Sequence, residues 1–155
     1  MADTDVKAAH TIRNHVLASL GVGLVPLPWV DLAALAALQL NLVRRLASLY
    51  GVAFSEELGK SALSALIGAG VPLSLSANLR SLSKSLPGLG WVVASASSAL
   101  FAAASTYALG KVFVQHFESG NTLLNFNAEQ TKAYYRQQFE QGKREARQGV
   151  AGLRP

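Results

Sequence analysis

From Ser85 to Gly110 the chain runs for 26 residues without one Asp, Glu, Lys, Arg or His. A helix of that length and character has two ways to exist. It crosses a bilayer, which takes roughly 20 mostly apolar residues, or other helices surround it on all sides. Trp91 and Tyr107 stand near its two ends, where interfacial aromatics sit in spanning helices. Small residues occupy every fourth position: Gly90, Ala94, Ser98, Ala102, Thr106 and Gly110. On a helix they form one row, and such a row lets a second helix approach closely. The expectation is a spanning helix whose row packs against another helix, in a homo-oligomer. The alternative is an Ala-rich helix buried in a soluble bundle. The many serines favour that alternative, because they hold the mean hydropathy to +0.26.

The rest of the composition narrows the class. A length of 155 residues indicates one domain. Half of the residues are apolar, chiefly Leu, Ala and Val, which favours an all-α fold. Charged residues make up 15%, against roughly 25% in an average soluble domain, so part of the surface is expected to face lipid or a partner. The net charge of +5 suits an anionic membrane surface. It does not suit nucleic acid, because the cations form no stripe interleaved with aromatics. With no Cys, disulfides and thiolate-bound zinc are excluded. The first twenty residues mix acids, bases and His without an apolar run, so they do not read as a signal peptide and export is not expected.

Along the chain, Thr4–Leu24 reads as a helix capped by Thr4 or Asp5. Pro26 and Pro28 stop it. Asp31 is the expected cap of the next helix, which continues to Tyr50 and ends at Gly51. Leu35, Leu38, Leu42, Leu46 and Leu49 give that helix one apolar stripe. Arg13 and Arg44 lie symmetrically about the Pro26–Trp29 tip. Each arm between them holds about 15 apolar residues, or ~22 Å of helix, short for a span and suited to a wedge in one leaflet. Ser55-Glu56-Glu57 opens a third helix to about Gly70, and Pro72 marks a second tip. Leu73–Leu86 then reads as a Ser-rich amphipathic helix. The long helix is expected over 88–118, ended by Gly120. Asn127 and Gln130 form a capping box for a last helix over 127–149, expected to be solvent-exposed with a basic end and a tail over 150–155. Residues 1–126, with hairpins 4–50 and 55–86, form the expected membrane-associated part. Arg13, Arg44, Arg45, Lys60, Arg80 and Lys84 are the candidate contacts to anionic headgroups. Pro26, Pro28, Trp29, Asp31 and Pro72 are the candidate hairpin tips.

Enzyme chemistry finds no foothold. Gly59-Lys60-Ser61 resembles the end of a phosphate loop, but Phe54 stands where the first glycine is needed and no strand precedes it. Ser81-Leu82-Ser83-Lys84 has the Ser-x-x-Lys spacing without its partner motifs. His10, His15 and His116 have no companions at metal-ligand spacing. Asp31 could relay protons only at membrane depth, in which case the chain would be a channel or transporter subunit. No cofactor, metal or catalytic residue is expected.

Two stretches carry a family likeness. The first is Gly23-Leu24-Val25-Pro26-Leu27-Pro28-Trp29-Val30-Asp31, continuing through Gln39, Arg45-Leu46 and Leu49-Tyr50-Gly51. The second runs from Tyr107 to Gly120, Tyr-Ala-Leu-Gly-Lys-Val-Phe-Val-Gln-His-Phe-Glu-Ser-Gly. Together they resemble the bacterial domain of unknown function 697, the YcjF-type membrane proteins. The resemblance implies a protein of the bacterial inner membrane with its charged segments toward the cytoplasm. It also implies a link to GTPases, since the domain occurs behind Era-like GTPase domains. This chain departs from those fusions in having no GTPase domain of its own, so it would work either alone or beside a separate GTPase. The expectation is therefore a non-enzymatic membrane scaffold or membrane-shaping protein. The competing readings are a soluble helical interaction module and the channel subunit.

Overall fold

The computed structural model describes residues 2–23, 28–70 and 89–152. Among them are five α-helices, one 3-10 turn and no strand. They are α1 (Ala2–Gly23), α2 (Pro28–Leu49), α3 (Glu56–Gly70), α4 (Leu89–Glu118) and α5 (Ala128–Gly152), with the 3-10 turn at Leu123–Asn125. The all-α expectation holds. Pro26, Pro72, Arg80 and Lys84 lie outside the described residues, as does the amphipathic segment over 73–86.

Helix ends follow from local chemistry. Gly51 takes φ +66° and Gly120 φ +80°, the left-handed turn that only glycine enters without a steric cost. The Val52 amide then donates to Ala47 O at 2.8 Å and the Asn121 amide to His116 O at 3.3 Å. These bonds satisfy carbonyls that the helix ends would leave bare. The start of α2 differs from expectation. Pro28 to Asp31 are already helical, so Asp31 lies within α2 and is not its cap. Asn127 does cap α5, accepting from the Glu129 amide at 3.0 Å.

α1 and α2 form an antiparallel hairpin. His15 Nε2 lies 3.0 Å from Asn41 Oδ1, which fixes the register between the two arms. Asn41 Oδ1 also accepts from Arg45 Nε at 3.1 Å. The face α2 turns inward comprises Leu35, Gln39, Leu42, Val43, Leu46 and Ala47. Leu38 and Leu49, which belong to the expected stripe, are half-buried at its margins. Burying a leucine this way contributes about 1.5–3 kcal/mol.

α4 is the central helix, packed against α1, α2 and α5. Its described side chains are buried nearly all round: Ala102, Ala103, Ala104, Ser105, Thr106, Ala108, Leu109, Val112 and Phe113 are each at most 2% exposed. This corrects the spanning expectation for Ser85–Gly110. Among the described residues no helix is long and apolar enough to cross a membrane. From Ala99 onward the uncharged run is instead enclosed by other helices of the same chain, and its serines and threonine lower its hydropathy below that of a span.

The last helix also departs from expectation. α5 is not a solvated appendage, for it packs along α4 and α3. Tyr135 is 1% and Ala146 5% exposed, and Gly142 is buried. A Cβ placed on Gly142 would stand 3.0 Å from Tyr107 Cβ and 3.1 Å from the Ala104 backbone, so the missing side chain sets how near α5 lies to α4. The polar residues of α5 form only its outer face.

Candidate functional site

The small-residue row resolves into definite neighbours over its described half. Ala102 and Thr106 are buried, and Gly110 faces α1. A Cβ on Gly110 would meet Ile12 Cγ1 at 2.6 Å, closer than any real contact, so α1 and α4 touch there without a gap. On the adjoining side, Gln39 from α2 donates through Nε2 to Ser105 Oγ at 2.9 Å and to Thr106 Oγ1 at 3.2 Å. Ser105 Oγ passes the chain on to Ala102 O at 3.1 Å. Gln39 is 1% exposed, and a buried amide needs such partners to offset its desolvation. A second copy could reach Ala102, Thr106 and Gly110 only if this core opened. The side-chain surroundings of Gly90, Ala94 and Ser98 lie outside the described residues.

The candidate basic contacts are spread over the hairpin. Arg44 and Arg45 are exposed on α2. The pairing of His15 with Asn41 sets Arg13 and Arg44 at about the same height. Lys60 is exposed but bonded to Glu56 at 2.9 Å within α3, and that bond holds the Glu56 carboxyl below its ordinary range. Such an exposed pair adds little stability. Gly59, the first residue of the phosphate-loop lookalike, is a packing position: its Cβ would lie 2.9 Å from Leu40 Cδ1. Trp29 and Asp31 fall in the first turn of α2.

Arg13 has a distinctive setting. It stands at the edge of a groove of about 400 Å³ between α1, α4 and α5, within the ~300–1,000 Å³ span of small-molecule sites. α1 supplies the apolar wall through Ile12, Val16, Leu17 and Leu20. Leu17 is 40% exposed, a large apolar side chain that the fold leaves partly uncovered. α4 supplies Tyr107 and Lys111, and α5 supplies Glu145 and Ala146. Lys111 Nζ lies 5.6 Å from the centre of the Tyr107 ring, a cation–π placement. Burial, with Glu145 and Tyr134 nearby, pushes the Tyr107 hydroxyl above its ordinary pKa, so it remains a neutral hydrogen-bonding group. Among the described residues neither Arg13 nor Lys111 has a carboxylate within 4.0 Å. Glu145 accepts from Gln141 Nε2 at 3.0 Å. The groove is thus apolar within and carries two cations and one acid at its edge. Of these residues only Arg13 was a candidate from sequence.

Two of the three histidines, His15 and His116, have structural partners. His15 is 8% exposed, with Nδ1 2.7 Å from Thr11 O and Nε2 facing Asn41. His116 Nε2 lies 2.8 Å from Thr122 O, and its ring sits edge-on to Phe126 at 5.1 Å, closing the turn after α4. Among the described residues no three of His, Asp or Glu gather as a metal site would require.

Comparison with known proteins gives the chain its relatives. Residues 2–144 match the family model described as domain of unknown function (DUF697). Magnetosome membrane protein 22 of Magnetospirillum gryphiswaldense is 41% identical over 145 residues, covering 90% of this chain and 72% of that protein. No solved structure matches the chain. The family match takes in all of α1, α2, α3 and α4 and most of α5, including every groove residue except Glu145 and Ala146. The chain belongs to the domain of unknown function 697 family.

Proposed function

We propose that this protein is a non-enzymatic, membrane-associated helical scaffold that attaches to the cytoplasmic face of the bacterial inner membrane. The observation that carries this reading is the 41% identity to a magnetosome membrane protein, maintained over nine-tenths of the chain. The net charge of +5 and the exposed Arg13, Arg44 and Arg45 suit an anionic bilayer surface, where each cation contributes about 1 kcal/mol. The proposed attachment is one-sided, through the headgroup region; among the described residues no helix is long and apolar enough to cross. Self-association and docking of a separate GTPase complete the proposed scaffold role.

Extraction of the full chain from bacterial membranes tests the attachment. The protein is expected in the membrane pellet after lysis without detergent and in the supernatant after alkaline carbonate. Recovery in the first supernatant would replace the reading with a soluble interaction module. Retention through carbonate would replace one-sided attachment with embedded hairpins. Vesicles of phosphatidylglycerol are expected to bind the chain, with phosphatidylcholine vesicles failing to, and the binding should weaken as salt rises. Crosslinking at the membrane, with and without GTPase-containing lysate, reads the oligomer and the partner separately.

A further inference from the structure

The groove between α1, α4 and α5 differs from the rest of the bundle in one respect. At Gly110 and Gly142 the helices close on a glycine, whereas here Val16, Leu17 and Leu20 face a space of about 400 Å³. Small-molecule sites are concave clefts of ~300–1,000 Å³ with apolar walls and a few polar groups, and this groove has that size and lining. Its chemistry can be read from the walls and the edge. The walls offer aliphatic contact and nothing that would recognise a polar body. The edge offers Arg13 from α1 and Lys111 from α4, both without a carboxylate partner among the described residues, together with the neutral hydroxyl of Tyr107. Glu145 from α5 leaves the edge with an excess of one positive charge.

We infer that this groove binds a single-chain anionic amphiphile, a long-chain fatty acid, with the acyl chain against Val16, Leu17 and Leu20 and the carboxylate between Arg13 and Lys111. Arginine presents a planar fork that matches a carboxylate, and lysine adds a point charge. Removal of the chain from water contributes roughly 0.8 kcal/mol per buried methylene, so the apolar wall supplies affinity and the two cations supply orientation. The other candidate occupants fit less well. The chain's own segment over 71–88 contains Arg80 and Lys84 and no acid, and would bring like charge to a positive edge. A second copy docking through the same face would set two cationic edges against each other. The inference goes beyond membrane attachment and does not depend on it.

Binding to the full chain in solution tests it, with a fluorescent fatty acid held below its micelle concentration as the probe. Saturable uptake at one site per chain is expected, with displacement by oleate and about tenfold weaker displacement by oleate methyl ester. Arg13→Gln with Lys111→Gln should weaken the acid about tenfold or more and leave the ester unchanged. Glu145→Gln should strengthen the acid about two- to fivefold, a gain that a merely destabilised protein would not show. Equal affinity for acid and ester, or no uptake by the unaltered chain, overturns the proposal. Uptake only from phosphatidylglycerol vesicles, with none from monomeric fatty acid, also overturns it in favour of a whole-lipid contact. Because the probe arm contains no membrane, its failure is separable from failure of membrane attachment.

Discussion

Two neighbouring rows of α4 face α1 in opposite ways. Gly110 lets Ile12 descend onto the helix backbone, and the two helices close completely. The adjoining row, Tyr107 and Lys111, carries large amphipathic side chains, and there the same helices stand apart around a groove. Ile12 belongs to both, filling the space above Gly110 and forming part of the groove wall. The difference teaches that side-chain volume at adjacent positions decides where this bundle closes and where it remains open. Apolar character alone does not, since both rows face aliphatic residues of α1.

The sharpest way to break the comparison is to fill the closed row. Gly110→Leu should cost about 3 kcal/mol by overpacking, read as a lowered denaturant midpoint at unchanged slope. An unaltered midpoint would mean that α1 and α4 do not touch there. On the other closed side of α4, Gln39→Leu keeps the volume but deprives Ser105 and Thr106 of their donor. A cost of about 1–2 kcal/mol is expected, and a gain would show that the buried amide is a burden. Tyr135 is 1% exposed, and its hydroxyl has no hydrogen-bond partner among the described residues. Tyr135→Phe should therefore stabilise by about 1 kcal/mol, and a measured loss would reveal a partner. In the open row, Leu17→Ser should cost under about 0.5 kcal/mol, as surface changes do. A cost like that of Gly110→Leu would mean the groove is closed in solution.

The smallest effect concerns pH. Burial and the bond from its hydroxyl to Glu118 Oε1 at 3.1 Å raise the Tyr50 pKa to about 12. The folded state therefore favours the neutral phenol. Its contribution is complete below the ordinary value of 10.0 and is lost as pH rises through about 12. Tyr50→Phe should flatten this part of the alkaline unfolding profile and leave the neutral range unchanged.

How much of this was legible in the sequence depends on the element. Gly51 and Gly120 announced helix ends because only glycine takes the left-handed turn cheaply, and the leucines of α2 announced an inward face. α4 was harder. When every side of a helix is small and uncharged, sequence cannot say whether lipid or protein surrounds it, and here the described neighbours are protein. α5 misled for the opposite reason. Its contacts run through Tyr134, Tyr135, Phe139, Gly142 and Ala146, too few to outweigh its polar residues in any window. Of the groove, Arg13 stood out because it lies opposite Arg44 about the proline tip. Lys111 and Glu145 did not, because nothing local links residues that only the packing of three helices brings to one edge.

The contact between Gly110 and Ile12 also restricts how this chain can vary. The two positions share one parcel of space, so their volumes are tied: a methyl gained at 110 has to be matched by one lost at 12. Ile12→Ala, which removes the Cγ1 nearest the added Cβ, should thus relieve part of the strain of Gly110→Ala, although each change alone is unfavourable. Read as a rule for related sequences, a residue larger than glycine at 110 calls for one smaller than isoleucine at 12, and the wall of the groove changes whenever that exchange is made.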